Sequence, residues 1–525
     1  MTERAEEASA RRWRRGAFLA AVLLLATVLR VLYALDRPLG SDEAGVGVLQ
    51  AAGQAVDYRS RLPVGIAPIE RFQGFLAYSE AFSIADVFRS LRHAGMHPPF
   101  YYLLLHLVMK LFGNGAFLLR SVSILTSLAS VVLIQRLAEE LWTPRVGRWA
   151  ALFSAVSFYG IKYGTAVRPY SLLTLLSVAS SLVALRLARS IALAAEKRLL
   201  AAFALTTLIG MYSFYHYVFL VGAQLGLVAA CHVYDRKALA ALGATVALIA
   251  VAYLPWLPSL AEQMQKVGSG DFYFHGALEP SAAAYAVVKN NFKGILPDGW
   301  VASAAVALLA LAMAHGAWRL LRNAASRPFG LAILVYLLTR AAADALLGMK
   351  TLAYPAKLFF FVPFSLMLLA AGLDSLPGPR GLRNVALGVC ACLLLGSSQL
   401  AVRKASEKSG LNAMIARQLE PEHRALVLYN TRNRRYLFPF VHAVKTPVDL
   451  MLLDAERVRE AGVAFGSLSA YDRVVLVSQY VPSDPDSFVS ISELRRINAA
   501  LARLGFEPRV QDRVGRSPFM VYRRR

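Results

Sequence analysis

Apolar residues fall in blocks along most of this chain, separated by short polar stretches, and the pattern stops near residue 402. A helix needs about 20 predominantly apolar residues to cross a bilayer. The first block runs from about Gly16 to Leu35. Ten more fall near 117–139, 149–163, 171–188, 199–212, 214–231, 238–257, 300–320, 329–347, 356–373 and 383–400. The pattern predicts about 11 transmembrane helices. Between the first two lies a long mixed loop, about 36–117. Within it, Ala81 to Leu91 has the spacing of an amphipathic helix. Phe100 to Phe112 is apolar but short, and His106 interrupts it. It reads as an interfacial or re-entrant helix rather than a span.

Beyond Arg403 the pattern changes to charged residues with short alternating segments. Ala425 to Tyr429 and Val474 to Val477 read as buried strands. Ile491, Leu494, Ile497, Leu501 and Leu504 recur at three- and four-residue steps, as on one face of a helix. Phe519 to Tyr522 closes as a strand. The expected organisation is a polytopic α-helical membrane domain, 1–402, with a large first outer loop carrying interfacial helices. A small C-terminal soluble α/β domain, 403–525, follows it. This second part has no cysteine and must fold on its core alone.

Composition agrees with the pattern. The 525 residues are 57% hydrophobic and 17% charged, with a mean hydropathy of +0.48. A soluble globular chain is about 25% charged. The formal net charge of +24 suggests nucleic acid, but most Lys and Arg flank the apolar blocks. Basic residues placed this way orient helices and meet anionic headgroups. Arg11, Arg12, Arg14 and Arg15 precede the first block, and Asp36-Arg37-Pro38 follows it where a cleavage site would be, so the segment reads as a retained signal anchor. Cys231, Cys390 and Cys392 lie in or beside apolar segments and form no metal or disulfide pattern.

Loop charges set the topology. If the 100–112 helix does not cross, the cytoplasmic loops hold Arg145 and Arg148; Arg186, Arg189, Lys197 and Arg198; Arg236 and Lys237; Arg319, Arg322 and Arg327; Arg380 and Arg383. The turns near 164–170 and 212–214 hold one cation and none. This is the positive-inside bias. It places the N-terminus in the cytoplasm and the C-terminal domain outside.

Chemistry then gathers on the outer side. Asp42 and Glu43 follow the first span. His97 opens the short helix. Lys162, Tyr163, Arg168, Pro169 and Tyr170 lie at one outer turn. Tyr212, Tyr215, His216 and Tyr217 lie at the next, and Lys350, Tyr354 and Lys357 at another. Trp256 begins a longer outer loop, 258–299. Cations near a span end are costly against lipid. Several on one side suggest an anionic ligand, and a lipid-linked phosphate fits, with its tail in the bilayer.

Six stretches in this order carry a family likeness: Asp42-Glu43-Ala44; His97-Pro98-Pro99-Phe100-Tyr101-Tyr102 with Gly113 and Arg120; Arg168-Pro169-Tyr170-Ser171-Leu172; His216-Tyr217; Leu254-Pro255-Trp256-Leu257; and Lys357. Over about residues 16–375 the chain resembles the GT-C superfamily of membrane glycosyltransferases, in particular the bacterial relatives of the dolichyl-phosphate-mannose protein mannosyltransferases and of the aminoarabinose transferase. The resemblance implies an inner-membrane enzyme that moves a sugar from a polyprenyl phosphate donor to a lipid, glycan or protein acceptor of the cell envelope. It implies Asp42 and Glu43 as catalytic residues, and His97, Tyr163, Arg168, Tyr170, His216 and Lys357 around the donor phosphate and sugar. Relatives commonly carry a Gln-Glu pair where Thr165-Ala166 stand here. A divalent metal would suit hard carboxylates plus phosphate, with Glu43 as one ligand; without that second acid the ligand set is incomplete, so no cofactor is certain and a divalent metal stays open.

The chemistry is consistent. Polyprenyl phosphate is a good leaving group, so cations such as Arg168 and Lys357 help its departure. The acceptor hydroxyl needs a base, and Asp42 fits. One-step attack from the opposite face inverts the anomeric centre. Two rivals stand beside this reading. A lipid or glycan transporter or flippase needs ionisable residues within the spans, and Arg340 and Asp344, four apart on one helix, are candidates. A catalytically inactive scaffold accounts for the lost acid at Thr165-Ala166.

Overall fold

A computed structural model describes residues 2–35, 37–94, 97–268, 300–349, 351–353, 357–419, 424–430, 437–453, 468, 470–478, 491–514 and 517–524. Lys350 and Tyr354, named above, and most of the 258–299 loop lie outside the described residues.

The chain divides into two compact units, each described by itself. The first comprises Met1–Leu35, Met96–Tyr101 and Arg120–Val402. Among its described residues the regular structure is all helical. Every predicted apolar block falls on a helix: Thr2–Leu35, Ala116–Leu141, the pair Pro144–Val156 and Phe158–Tyr163, Tyr170–Ala188, Lys197–Met211, Tyr217–Cys231, Arg236–Tyr253, Trp300–Arg322, Arg327–Leu346, Phe361–Asp374 and Arg380–Gln418. Six helical segments among the described residues are long and apolar enough to cross a membrane. The chain is a multi-pass membrane protein. The last long helix runs unbroken to Gln418, past the point where the apolar pattern stops.

Local signals set the helix starts. Thr143 accepts from Val146 N with Pro144 in the first turn, Ser157 accepts from Gly160 N, and Asp235 accepts from Lys237 N and Ala238 N. Each side chain satisfies backbone N–H groups that have no partner within their own helix. Packing is close where side chains are small. A Cβ on Gly372 would run into the Ala312 carbonyl, and one on Gly316 into the Leu368 carbonyl. The helices Trp300–Arg322 and Phe361–Asp374 therefore touch backbone to backbone, as small residues at four-residue spacing allow in membranes. An apolar cluster of Leu187, Leu193, Leu200, Phe203, Val228 and Leu242 joins the helices Tyr170–Ala188, Lys197–Met211, Tyr217–Cys231 and Arg236–Tyr253.

The second unit comprises Asp36–Gly95, Tyr102–Leu119 and Arg403–Arg525. Its centre is a six-stranded mixed sheet in the order β1-β3-β2-β4-β6-β5. β1 is Ile66–Pro68, β2 Ala425–Asn430, β3 Asp449–Leu453, β4 Arg473–Ser478, β5 Phe506–Val514 and β6 Ser517–Arg524. β2 runs parallel to β3 and β4, and the other pairs are antiparallel. β2, β4, β6 and the helix Ile491–Arg503 fall where the sequence pattern put them. Ile497 and Leu501 of that helix pack on Leu426, Leu428, Val474 and Leu476.

β1 is a different matter. It comes from the first loop and pairs Ile66 with Met451 and Ala67 with Leu450. The loop is bound to the C-terminal segment elsewhere too. Ile69 N donates to Val448 O at 2.9 Å. Gln73 Nε2 donates to the carbonyls of Val441 (3.0 Å) and Val444 (2.9 Å). Tyr58 and Phe75 meet Phe438. The amphipathic helix expected near 81–91 spans Ile84–Ala94. Asp86 starts it by accepting from the backbone N and hydroxyl of Ser83, at 2.8 and 2.9 Å. The short helix Phe100–Phe112 places His106 against the Ala51 carbonyl, 2.7 Å from Nδ1.

Candidate active site

In the helical unit, three of the sequence-predicted residues, His97, His216 and Lys357, meet on a residue that the sequence did not mark, Phe214, and Arg168, Tyr170 and Tyr163 adjoin them through His97. The start of the Phe100–Phe112 helix is fixed by Phe100 N, which donates to Tyr212 O at 2.9 Å. Pro98 and Pro99 carry no N–H, so this is the first backbone donor after His97. The bond sets His97 beside the 212–216 turn. Its ring stacks on Phe214 at 6.4 Å between centroids. His216 stacks on Phe214 at 5.0 Å. The Lys357 ammonium lies 4.7 Å from the Phe214 ring centre, a cation–π distance. Phe359 meets the same ring edge-on at 5.7 Å. Nothing in the sequence distinguishes Phe214 from a buried core aromatic.

Arg168 completes the cluster. It is 6% exposed. Its Nη2 donates to His97 Nε2 at 2.9 Å and lies 3.5 Å from the Tyr170 hydroxyl. The guanidinium carbon sits 5.6 Å from the Tyr170 ring centre. Tyr163 packs edge-on against Tyr170 at 5.2 Å. The turn that carries Arg168 is tied down at Ala166, whose carbonyl accepts from Arg168 N at 2.7 Å and from the Ser123 hydroxyl. Thr165, standing where relatives have an acid, turns its hydroxyl back onto the Ile161 carbonyl at 2.9 Å.

Electrostatics follow from this geometry. Removal from water, then the charges of Arg168, Lys357 and His216, hold His97 well below the usual histidine range. His216 is also held well below it, by burial and by Arg340 and Lys357. A guanidinium and a lysine thus stand beside two neutral imidazoles, and the cluster is built for negative charge. At its edge the Tyr215 hydroxyl accepts from Trp256 Nε1 at 3.0 Å and donates to Gln263 at 2.7 Å. Burial pushes the Tyr215 phenol up to about 12.

Arg340 and Asp344 do not form an ion pair. Both bind Thr351 instead: its hydroxyl accepts from Arg340 and donates to Asp344 at 2.6 Å. Both charges are buried and committed near the C-terminal end of the Arg327–Leu346 helix.

The carboxylate pair belongs to the other unit, and its members differ. Glu43 is 4% exposed. It accepts from Arg37 at 2.9 Å and from Gly40 N at 2.7 Å. It opens a six-residue π-helical turn, Glu43–Val48. Asp42 is exposed and makes no hydrogen bond or ion pair among the described residues. Among those residues no group of three His, Cys, Asp or Glu side chains is placed to hold a metal ion.

Residues 96–256 match the family model of the dolichyl-phosphate-mannose-protein mannosyltransferases. His97, Tyr163, Arg168, Tyr170, Phe214 and His216 all lie within this stretch. No curated protein sequence matches the chain. Two solved structures with the same fold are ArnT from Cupriavidus metallidurans in the apo state and bound to undecaprenyl phosphate. The first aligns at TM-score 0.55 and 12% identity over 98% of both chains. The second aligns at TM-score 0.54 and 13% identity over 96% of this chain and 98% of that one. Over nearly its whole length the chain thus has the fold of these ArnT structures, and residues 96–256 resemble the dolichyl-phosphate-mannose-protein mannosyltransferase family.

Proposed function

We propose that the protein transfers a sugar from a polyprenyl-phosphate donor to a cell-envelope acceptor on the outer face of the inner membrane, with inversion. The observation that carries this reading is the grouping of His97, His216 and Lys357 on Phe214 with Arg168 bound to His97, all but Lys357 in the stretch that matches the dolichyl-phosphate-mannose-protein mannosyltransferase family. A cluster of fixed cations at an outer helix end suits a phosphate whose lipid tail lies in the bilayer. The likeness to a protein crystallised with undecaprenyl phosphate supports the same ligand class here.

In the proposed reaction the acceptor hydroxyl gives its proton to the Asp42 carboxylate as its oxygen attacks the anomeric carbon. The bond from that carbon to the phosphate oxygen breaks, and the electron pair leaves with the polyprenyl phosphate. Arg168 and Lys357 stabilise the charge that grows on the departing oxygen. Neutral His97 orients Arg168 by accepting its N–H. Asp42 suits the role of base because its carboxylate is uncommitted, and Glu43 shapes the turn that presents it.

Loop charges support the proposed orientation, with the N-terminus in the cytoplasm and residues 403–525 outside. The acceptor class is a lipid, glycan or protein of the envelope. The test is transfer from a radiolabelled polyprenyl-phosphate sugar by the purified full chain. Wild type should transfer label, and Arg168→Ala and Asp42→Asn should not. Full transfer by either variant would remove that residue from the reaction.

A further inference from the structure

We propose that Arg340, Asp344 and Thr351 form a buried latch that positions Lys357. The inference rests on the proposed role of Lys357 in holding the donor phosphate.

The latch is a three-part relay. Arg340 and Asp344 lie one turn apart on the Arg327–Leu346 helix and are 1% and 2% exposed. The Thr351 hydroxyl, 1% exposed, sits between them. It accepts from Arg340 Nη2 and donates to Asp344 Oδ1 at 2.6 Å. The other carboxylate oxygen accepts from Leu352 N at 2.8 Å. Asp344 therefore holds the short helical turn Thr351–Ala353 by a side chain and by the backbone.

The turn is coupled to Lys357 through packing. Leu352, from the latched turn, and Leu358, next to Lys357, are in one buried cluster with Tyr159 and Val362. Tyr163 packs on the same cluster and meets Tyr170 beside Arg168. Moving Thr351 would thus move the surroundings of Lys357. Arg340 also reaches the other side of the site. Its guanidinium carbon lies 5.1 Å from the Phe219 ring centre, and Phe219 packs against His216 at 6.4 Å.

Fixing Lys357 has a physical purpose. A free lysine stem has high rotamer entropy, which binding a phosphate must overcome. The latch and the Phe214 ring remove that freedom beforehand. Charge-assisted bonds in a buried setting are the strong kind, so the turn is held firmly without a direct ion pair.

A double-mutant cycle on the purified full chain separates positioning from simple stabilisation. The readouts are the equilibrium affinity for undecaprenyl phosphate in detergent and the melting midpoint. Thr351→Val keeps shape and removes both hydroxyl bonds. It should weaken binding by about five- to tenfold when Lys357 is present, and by under about twofold in a Lys357→Ala background. Thr351→Ser should restore wild-type affinity, and Asp344→Asn should follow Thr351→Val in both backgrounds. Equal weakening with and without Lys357 would overturn the latch while leaving the role of Lys357 intact. Unchanged affinity in Lys357→Ala alone would overturn the phosphate role, and the latch with it. If Thr351→Val does not fold, Asp344→Asn and Arg340→Lys run the same cycle.

Discussion

Arg168 donates to His97 through Nη2 and Nε2 at 2.9 Å, and this fixes the protonation of the ring. A guanidinium is always charged and has no acceptor, so Nε2 must be bare. Acid should break the contact. In the unfolded chain His97 titrates near 6.5; in the folded protein it stays neutral well below that value. Between the two the unfolded chain binds more protons, so stability is full above about pH 6.5 and falls as pH drops towards the folded value. Melting midpoints measured from pH 8 to pH 5 should fall on the acid side. His97→Gln should flatten that slope in part, leaving the share that His216 contributes. Identical slopes in the two proteins would contradict the assignment.

Asp42 and Glu43 are neighbours with separable roles. Asp42→Asn should abolish transfer and leave the melting midpoint unchanged, since the side chain is exposed and makes no described bond. Glu43→Gln should do the reverse in degree. It weakens the bonds to Arg37 and Gly40 and should cost about 1–3 kcal/mol of stability. Parallel measurement of transfer rate and thermal unfolding checks both.

The proposed topology makes a direct labelling prediction. Ser60 is exposed in the first loop, and Ile191 is fully exposed in a loop whose arginines mark it as cytoplasmic. With Cys231 and Cys392, both exposed, first replaced by alanine, Ser60→Cys should react with an impermeant thiol reagent added to intact cells. Ile191→Cys should react only after lysis. The opposite result would reverse the orientation.

Contact between the helices Trp300–Arg322 and Phe361–Asp374 depends on two missing methyl groups. Gly372→Val would drive a branched side chain into the Ala312 carbonyl. Overpacking costs about 1–3 kcal/mol and more where backbone must move. Gly372→Val should lower the melting midpoint in detergent markedly. Gly226→Val, at a glycine with open space around it, should not.

Periodicity carried most of the fold into view. Apolar blocks marked the helices of the membrane unit, and the alternation at Ala425–Tyr429 and Val474–Val477 marked two central strands. What stayed hidden was non-local. β1 is three residues ending in Pro68, too short to show a period. Its strand character comes from Met451 and Leu450 across the sheet. In the site, the types and order of His97, Arg168, His216 and Lys357 were legible as cations and imidazoles near span ends. Phe214, on which His97, His216 and Lys357 meet, was not, because an aromatic between Ser213 and Tyr215 is indistinguishable from packing. The pairing of Arg340 and Asp344 was half legible. Four-residue spacing put them on one face, but their shared partner Thr351 lies beyond the helix end, where no helical period reaches.

Antiparallel pairing of Ile66 with Met451 has a consequence for how the protein is made. During synthesis β1, at Ile66–Pro68, emerges long before its partner strand, at Asp449–Leu453. At about 5–20 residues per second the wait is roughly 20–80 s. Throughout it, Ala67, Ile69, Phe72 and Phe75, all buried in the finished unit, lack their covering segment, and an unpaired strand edge invites the wrong partner. Ribosome-stalled chains ending before residue 449 should therefore be protease-sensitive near residues 60–76 where the full-length protein is resistant.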